Sequence, residues 1–298
     1  MRLIRDILAA RRNGGPPAVS FEFFTPKTAE GDRNLLERTI PGLLKAKPDF
    51  CSVTYGAGGT TRDKTLGLVD ALQSRFHITG MAHLTCVGAT ASDLAQIVAQ
   101  IRDLGIRNIL ALRGDPPGGV GEFAPTPKGF SCARDLVSFA RCFGEFSIGV
   151  AGFPEGHVAC REGKHADWQH LKEKVEAGAD FIITQIFFDN ADFHRFREHL
   201  VTQLGVRVPI IPGILPILTA NQVKKFTQLC GATMPAAFLA KLDELGDDDV
   251  SVTQFGIEYA TRQCEDLIRA GVPGLHFYTL NKAFSTLHVL DNLGLIRA

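Results

Sequence analysis

Eight short apolar runs rich in β-forming residues recur along the chain, each followed by a stretch with helical periodicity. They are Ala18–Phe24, Phe50–Gly56, Gly80–Cys86, Asn108–Gly114, Ser147–Pro154, Asp180–Phe188, Pro209–Pro216 and Gly274–Leu280. Most are apolar along nearly their whole length instead of alternating. Strands covered by helices on both faces read this way, as in parallel sheets. Regular strand–helix alternation predicts an α/β architecture. Eight units in 298 residues predict closure into a single (β/α)8 TIM barrel, not an open doubly wound sheet. The expected organisation is one catalytic domain over residues 1–298 with a short N-terminal helix.

The intervening segments carry their own signals. In Thr90–Leu104, Leu94, Ile97, Val98, Ile101 and Leu104 form one helical stripe. Thr90 with Asp93 resembles a capping box, and Gly105 suits the C-terminal end. Similar helices are predicted over Asp32–Lys45, Arg62–Phe76, Ser131–Phe143, Lys164–Ala177 and Ala191–Leu204. Pro41 is expected to kink or interrupt the first of these. The long seventh interval predicts helices near Thr219–Cys230, Ala236–Leu242 and Ser251–Ala270. A last helix is predicted near Lys282–Leu293. The N-terminal segment places arginines around Leu3, Ile4, Ile7 and Leu8, and reads as a short amphipathic surface helix, not a secretory signal.

Charge and cysteine usage narrow the function classes. Lys+Arg and Asp+Glu are each 32, so no basic excess points to nucleic acid or a membrane surface. No apolar run approaches the roughly 20 residues of a spanning helix. Seven scattered cysteines without a CxxC motif predict a reduced, cytoplasmic protein. His157, Cys160, His165 and His170 have metal-ligating side chains, but Cys160 is their one thiolate and the stretch is hydrophilic. No metal is expected there.

Polar residues interrupt the apolar strands near their C-terminal ends, which in a barrel meet at one mouth. Glu22 sits in SFEFF. Burial among phenylalanines should raise its pKa, keeping the carboxyl neutral as a general acid requires, unless it reaches a salt bridge at the rim. Thr54 and Tyr55 precede a glycine-rich loop, whose spacing matches neither common phosphate-binding pattern. His83 on the third strand reads either as a satisfied core residue or as a site residue. Arg113 and Asp115 stand side by side after the fourth, and a structural ion pair is an equal reading. Gln185 offers both a donor and an acceptor for a heterocycle edge. Tyr278, Asn281 and Lys282 end the eighth. Together these residues predict a barrel enzyme with an acid and a site for a polar planar ligand.

Seven blocks then carry a resemblance: SFEFFTPK (Ser20–Lys27), SVTYGAGG (Ser52–Gly59), HLTC (His83–Cys86), ALRGDPP (Ala111–Pro117), ITQIFFD (Ile183–Asp189), IIPGILP (Ile210–Pro216) and HFYTLN (His276–Asn281). In type and order they resemble the methylenetetrahydrofolate reductases, from about residue 18 to 293. The chain looks like the single-domain bacterial form. The resemblance implies a cytoplasmic, homo-oligomeric flavoprotein of one-carbon metabolism and methionine biosynthesis. It implies noncovalent FAD, a hydride taken from NADH or NADPH at the flavin N5, and ping-pong reduction of 5,10-methylenetetrahydrofolate to 5-methyltetrahydrofolate. NADH is the favoured nicotinamide.

The same resemblance assigns residues. Glu22 matches the general acid, and Asp115 matches the aspartate near the flavin and the folate pterin. Thr54, His83, Leu112, Arg113, Gly114, Asp115, His157, Asp167 and Lys174 match FAD-binding positions. Gln185, Gln222, Phe226, Tyr278 and Leu280 match folate or nicotinamide contacts; Phe226 would stack on the ligand, or else pack as helix core with Val223. Phe153 stands where many bacterial members have Tyr beside the flavin, and Lys282 where an Arg is often found. The middle of Gly118–Phe130 departs from the family, which concerns the adenosine side of FAD. Three other readings compete. A flavin-independent one-carbon folate reductase would be colourless. A non-catalytic flavin- or folate-binding protein would bind without turnover. A homologue recruited to another methyl donor or acceptor would act in catabolism.

Overall fold

The computed structural model describes residues 1–11, 15–56, 61–115, 124–219, 223 and 230–296. Eight strands, β1 (Ala18–Phe23), β2 (Phe50–Val53), β3 (Gly80–Thr85), β4 (Asn108–Leu112), β5 (Ser147–Gly152), β6 (Phe181–Ile186), β7 (Ile210–Ile214) and β8 (Gly274–Tyr278), pair in sequence order into a closed barrel. Every pairing is parallel, including the closing β1–β8 seam. All eight predicted strands are present. Each predicted run extends one to three residues past the C-terminal end of the ladder, because there the chain leaves the sheet to build the mouth.

The non-alternating apolar runs have a direct cause, since both faces of each strand are buried. Val19, Phe21, Val53, Leu84, Ile109, Val150 and Ile182 point outward, into the main core shared with the helices. The alternate residues Ala18, Phe50, Met81, Leu110, Phe181, Ile183 and Ile211 point inward and form a separate interior cluster. Burial at both faces is worth about 25 cal/mol per Å² of apolar surface removed from water, so neither face tolerates a polar residue without a partner.

The N-terminal helix α1 (Ile4–Arg11) is not a surface helix. Ile4, Ile7 and Leu8 are fully buried and belong to the interior cluster, so α1 plugs the N-terminal end of the barrel. Asn108 at the foot of β4 holds it. Its Oδ1 accepts from the Ile4 N–H at 2.8 Å, and its Nδ2 donates to the Arg2 and Gly80 carbonyls. Sequence periodicity shows that a helix has an apolar stripe, but not what covers the stripe.

Two outer helices report on their local sequence. The segment after β1 runs as α2 (Ala29–Asn34), a π-helical turn (Leu35–Thr39) and α3 (Ile40–Leu44). Pro41, at the start of α3, lacks the N–H that an unbroken ladder needs, and the wide turn just before it absorbs the interruption. Helix α4 (Arg62–Ser74) follows β2, and α5 (Ala91–Asp103) follows β3 with the predicted reciprocal Thr90–Asp93 capping box. Then come α6 (Ala133–Arg141), α7 (Lys164–Glu176) and α8 (Asn190–Thr202). The seventh interval holds α9 (Ala236–Leu245) and α10 (Asp249–Arg269), and α11 (Phe284–Asn292) follows β8. Most of the helix predicted near Thr219–Cys230 lies outside the described residues. Among the described residues no helix is long and apolar enough to cross a membrane.

Candidate active site

The inward face of the barrel changes character along its axis. On β1 the inward positions run Ala18, Ser20, Glu22; on β8 they run Gly274, His276, Tyr278. Register pairs Ser20 with His276 and Glu22 with Tyr278. On β3 they run Met81, His83, Thr85. Period-2 alternation therefore turns Glu22, His83, His276 and Tyr278 inward, on neighbouring levels above the apolar interior.

Glu22 is 5% exposed. Its Oε2 lies 3.3 Å from His83 Nε2 and 3.5 Å from His276 Nε2. Behind His276, Nδ1 is 2.8 Å from the Ser20 hydroxyl, which is also 3.2 Å from the Leu275 carbonyl. The His276 ring is fully buried, stacked on Phe50 and edge-on to Tyr278. The raised carboxyl pKa predicted from the sequence is corrected here. Burial does push Glu22 up, but the two imidazoles at its oxygen, when charged, outweigh that and bring it from 4.5 down to about 2. Those partners come from β3 and β8, so SFEFF alone did not reveal them.

The backbone around Glu22 is clamped from β8. Thr279 Oγ1 donates to the Glu22 carbonyl at 2.7 Å. Past the end of the ladder, Asn281 Oδ1 accepts from the Phe24 N–H at 2.9 Å and its Nδ2 donates to the Phe24 carbonyl at 2.8 Å. One side-chain amide thus extends the β1–β8 seam by a residue. Leu280 and Asn281 both adopt left-handed backbone (φ 49° and 57°), which costs free energy in non-glycine residues and turns the chain out of the barrel here. Tyr278 donates to the Thr184 carbonyl at 2.7 Å across Gly213. A Cβ on Gly213 would sit 2.5 Å from the Tyr278 ring, so glycine is what lets the phenol cross to β6. There Gln185 Oε1 accepts from the Ile186 N–H at 2.8 Å.

A second group forms on the β4–β5 side. Leu112 ends β4, and Arg113, Gly114 and Asp115 follow it, with Asp115 exposed. Gly114 has φ +87°, and any Cβ there would strike Val87, so the turn that aims Arg113 and Asp115 requires glycine. Phe153 follows β5 and meets the His157 ring edge-on at 4.5 Å. Trp168 Nε1 donates to the Phe153 carbonyl at 2.9 Å and fixes that turn. Asp167 and Lys174 come from α7, with Lys174 Nζ donating to the Ala151 carbonyl at 3.1 Å. Burial raises the Asp167 carboxyl and lowers the Lys174 ammonium, each partly opposed by the other's charge. His157 is lowered by burial and by the Arg113 charge. These interactions join residues spread over sixty positions into one electrostatic unit.

The remaining predicted positions are more dispersed. Thr54 lies just past β2, its carbonyl accepting from Thr65 Oγ1 at 2.8 Å. Leu280 packs against the Ile186, Phe188 and Leu215 cluster, and Lys282 is exposed. Gln222, Phe226, most of the glycine-rich loop and residues 116–123 lie outside the described residues. Of the four possible metal-ligating residues, His157 turns to Phe153, Cys160 to Glu162 and His165 to Trp168 and His199. Among the described residues no three His, Cys, Asp or Glu side chains form a group that could hold a metal ion. The site residues that sequence reasoning missed are Ser20 and His276. The signal was there: each lies two residues before a chosen inward residue, Glu22 and Tyr278, on the same strand.

A closed parallel barrel with alternating helices is a (β/α)8 barrel, and its acid, imidazole and amide groups lie at the C-terminal ends of the strands, the end at which barrel enzymes carry their sites. The family model described as methylenetetrahydrofolate reductase matches residues 6–294, and the chain belongs to that family. It is 41% identical over 292 residues to methylenetetrahydrofolate reductase (NADH) 1 of Arabidopsis thaliana, covering 95% of this chain and 49% of that one. It is 40% identical over 276 residues to 5,10-methylenetetrahydrofolate reductase of Escherichia coli (strain K12), covering 93% and 90%. The chain spans about half the length of the plant and yeast relatives it matches. Among solved structures, an uncharacterized Clostridium thermocellum protein that binds two copies of 5-methyl-5,6,7,8-tetrahydrofolic acid aligns with TM-score 0.64 at 12% identity, over 99% of this chain and 98% of that one. At that identity the likeness concerns the fold.

Proposed function

We propose that the chain is the catalytic barrel of an FAD-dependent enzyme that reduces 5,10-methylenetetrahydrofolate to 5-methyltetrahydrofolate with a nicotinamide donor. The observation that carries this reading is the buried Glu22 carboxylate, held by two imidazoles at the mouth of a barrel whose sequence matches this family throughout. The (NADH) in the plant relatives' names favours NADH over NADPH. All seven cysteines are free thiols, which suits a cytoplasmic enzyme.

The residues present fit the cofactor. The buried Thr85 Oγ1 has no hydrogen-bond partner within the protein. Arg113, His157 and Lys174 supply cationic and donor groups suited to an anionic dinucleotide, and Asp167 limits their net charge. Thr54, Leu112, Gly114 and Phe153 would complete that surface. FAD, when bound, supplies a two-electron hydride carrier that links the nicotinamide to the folate.

The chain's own groups do the rest. Glu22 delivers a proton to the bridging nitrogen of the folate's five-membered ring, which opens it to the electrophile that accepts the hydride. Asp115 places a negative charge where cationic folate character develops. Gln185 and Tyr278 line the far wall, where the amide can orient a pterin or a nicotinamide edge in turn; Gln222, Phe226, Leu280 and Lys282 are assigned to the same ligand.

The test is the absorbance spectrum of the purified protein, recorded before and after anaerobic NADH and then methylenetetrahydrofolate. A flavin band that bleaches with NADH and returns with the folate supports the cofactor, route and substrate together. A colourless protein that cannot be reconstituted with FAD overturns the reading in favour of a flavin-independent reductase.

A further inference from the structure

His276 is fully buried, and no role assigned above uses it. Its Nε2 faces Glu22 Oε2 at 3.5 Å, its Nδ1 faces Ser20 Oγ at 2.8 Å, and Ser20 Oγ faces the Leu275 carbonyl at 3.2 Å. These contacts form a continuous chain that ends on the proposed acid. Ser20 has a single hydroxyl proton. When that proton goes to Leu275, Oγ accepts from Nδ1–H, which leaves Nε2 to exchange a proton with Glu22. The fixed Ser20 contact also holds the ring plane, so Nε2 cannot turn away.

A carboxyl held at about 2 is ionised at neutral pH and has no proton to give. It is held there only while an imidazole beside it carries a proton.

We propose that the proton donor is the Glu22–His276 pair, in which His276, fixed by Ser20, is a positioning residue that stores the proton and returns it to Glu22. The inference rests on the proposed folate reduction. The proton leaves Nε2 and bonds to Oε2 of Glu22; the Oε2 proton passes to the bridging nitrogen of the folate ring. The carbon–nitrogen bond there breaks, and its electron pair stays on that nitrogen. His276 is left neutral and Glu22 anionic, and the pair regains its proton from solvent once product has left.

The titratable groups that face Glu22 are His83 from β3, His276 and Tyr278 from β8, and Cys230 from the seventh interval. The Tyr278 phenol is raised well above its ordinary value and the Cys230 thiol is raised to about 11, both by burial first, so neither exchanges the proton near neutral pH. His83 reaches the same carboxylate oxygen and lies among the FAD-binding positions. That leaves His276 as the imidazole whose second nitrogen is anchored and whose ring is fully buried.

The experiment is stopped-flow measurement of both half-reactions of the holoenzyme against pH, for wild type, Ser20→Ala, Ser20→Thr, His276→Asn and Glu22→Gln. Two groups sharing a proton hold it to higher pH than the carboxyl alone. The alkaline limb of the folate step is therefore expected to move down by at least one unit in His276→Asn, roughly a tenfold loss on that limb, and less far in Ser20→Ala. Ser20→Thr, which restores the hydroxyl, recovers the wild-type limb. Flavin reduction by NADH stays within about twofold in all three, as no hydride-transfer group is altered. An unmoved limb in both His276→Asn and Ser20→Ala, with Glu22→Gln still inactive toward folate, overturns the role of His276 and leaves the proposed function standing. A Glu22→Gln enzyme that still reduces folate removes the acid itself, and the inference with it. If His276→Asn does not fold or hold FAD, Ser20→Ala, which removes one oxygen, decides by the same limb.

Discussion

The two ends of this barrel are built from the same strands yet do opposite work. At the N-terminal end the inward residues are apolar, α1 closes the opening with Ile4, Ile7 and Leu8, and Asn108 makes its hydrogen bonds inside the protein. At the C-terminal end, two steps along the same strands, His83 and His276 both approach Glu22 Oε2, and the buried Thr85 Oγ1 has no protein hydrogen-bond partner. One end closes on itself with apolar side chains, while the other gathers ionisable groups around one buried carboxylate. Stability and chemistry are thereby separated along one axis, and substitutions at the two ends should report on different quantities.

The largest effect is expected at the mouth. Glu22→Gln should slow folate reduction by about 10²–10⁴-fold, the usual contribution of a positioned acid, while NADH still reduces the flavin. Single-turnover traces of the two half-reactions check this. The same variant sharpens the contrast in stability. In the folded protein the carboxyl sits at about 2, not 4.5. Its contribution is therefore fully present above about pH 4.5 and is lost as pH falls toward 2. Denaturation midpoints measured across that window should fall less steeply in Glu22→Gln than in wild type.

Next comes the plug. Leu8→Ala removes a fully buried side chain and should cost about 2–5 kcal/mol of unfolding free energy with kcat per folded molecule unchanged. Chemical denaturation with parallel rate measurements tests it, and a large loss in kcat would break the division between the two ends. Asn108→Ala should cost about 1–3 kcal/mol, since Ile4 N–H and two carbonyls lose their partner. Differential scanning calorimetry would reveal it.

A smaller, purely kinetic effect is expected for Asp115→Asn. It should slow the folate half-reaction about tenfold, the order of one charge acting across a partly hydrated site, and should slow flavin reduction less without loss of FAD. Equal slowing of both half-reactions would remove the aspartate's folate role. Lys282→Arg, on an exposed side chain, should change KM for folate or nicotinamide by a few fold and leave kcat unchanged. Steady-state titrations decide it.

Much of this was legible before any fold was known. Parallel strands buried on both faces must be apolar throughout, so their places could be read from composition alone, and all eight fall where expected. The Thr90–Asp93 box is local chemistry and formed as read. Glu22, His83, Arg113, Asp115 and Gln185 stood out because each is polar at the end of an apolar run. The readings that failed depended on what lies across the barrel. The stripe of α1 was visible, but that it closes the barrel floor depends on the inward faces of β2, β3, β4, β6 and β7. The raised carboxyl at Glu22 followed from its phenylalanine neighbours in sequence, two of which, Phe21 and Phe23, point outward into the helix layer.

The sequence by itself determined the element order, the closed parallel class and the polar residues that could not belong to an apolar interior, because those follow from periodicity and from the cost of burying polar groups. Only the tertiary structure decided which charges meet. Residues 22, 83 and 276 are brought to one oxygen by strand register and barrel closure. An electrostatic balance depends on separations of a few ångströms, and spacing along the chain does not contain them.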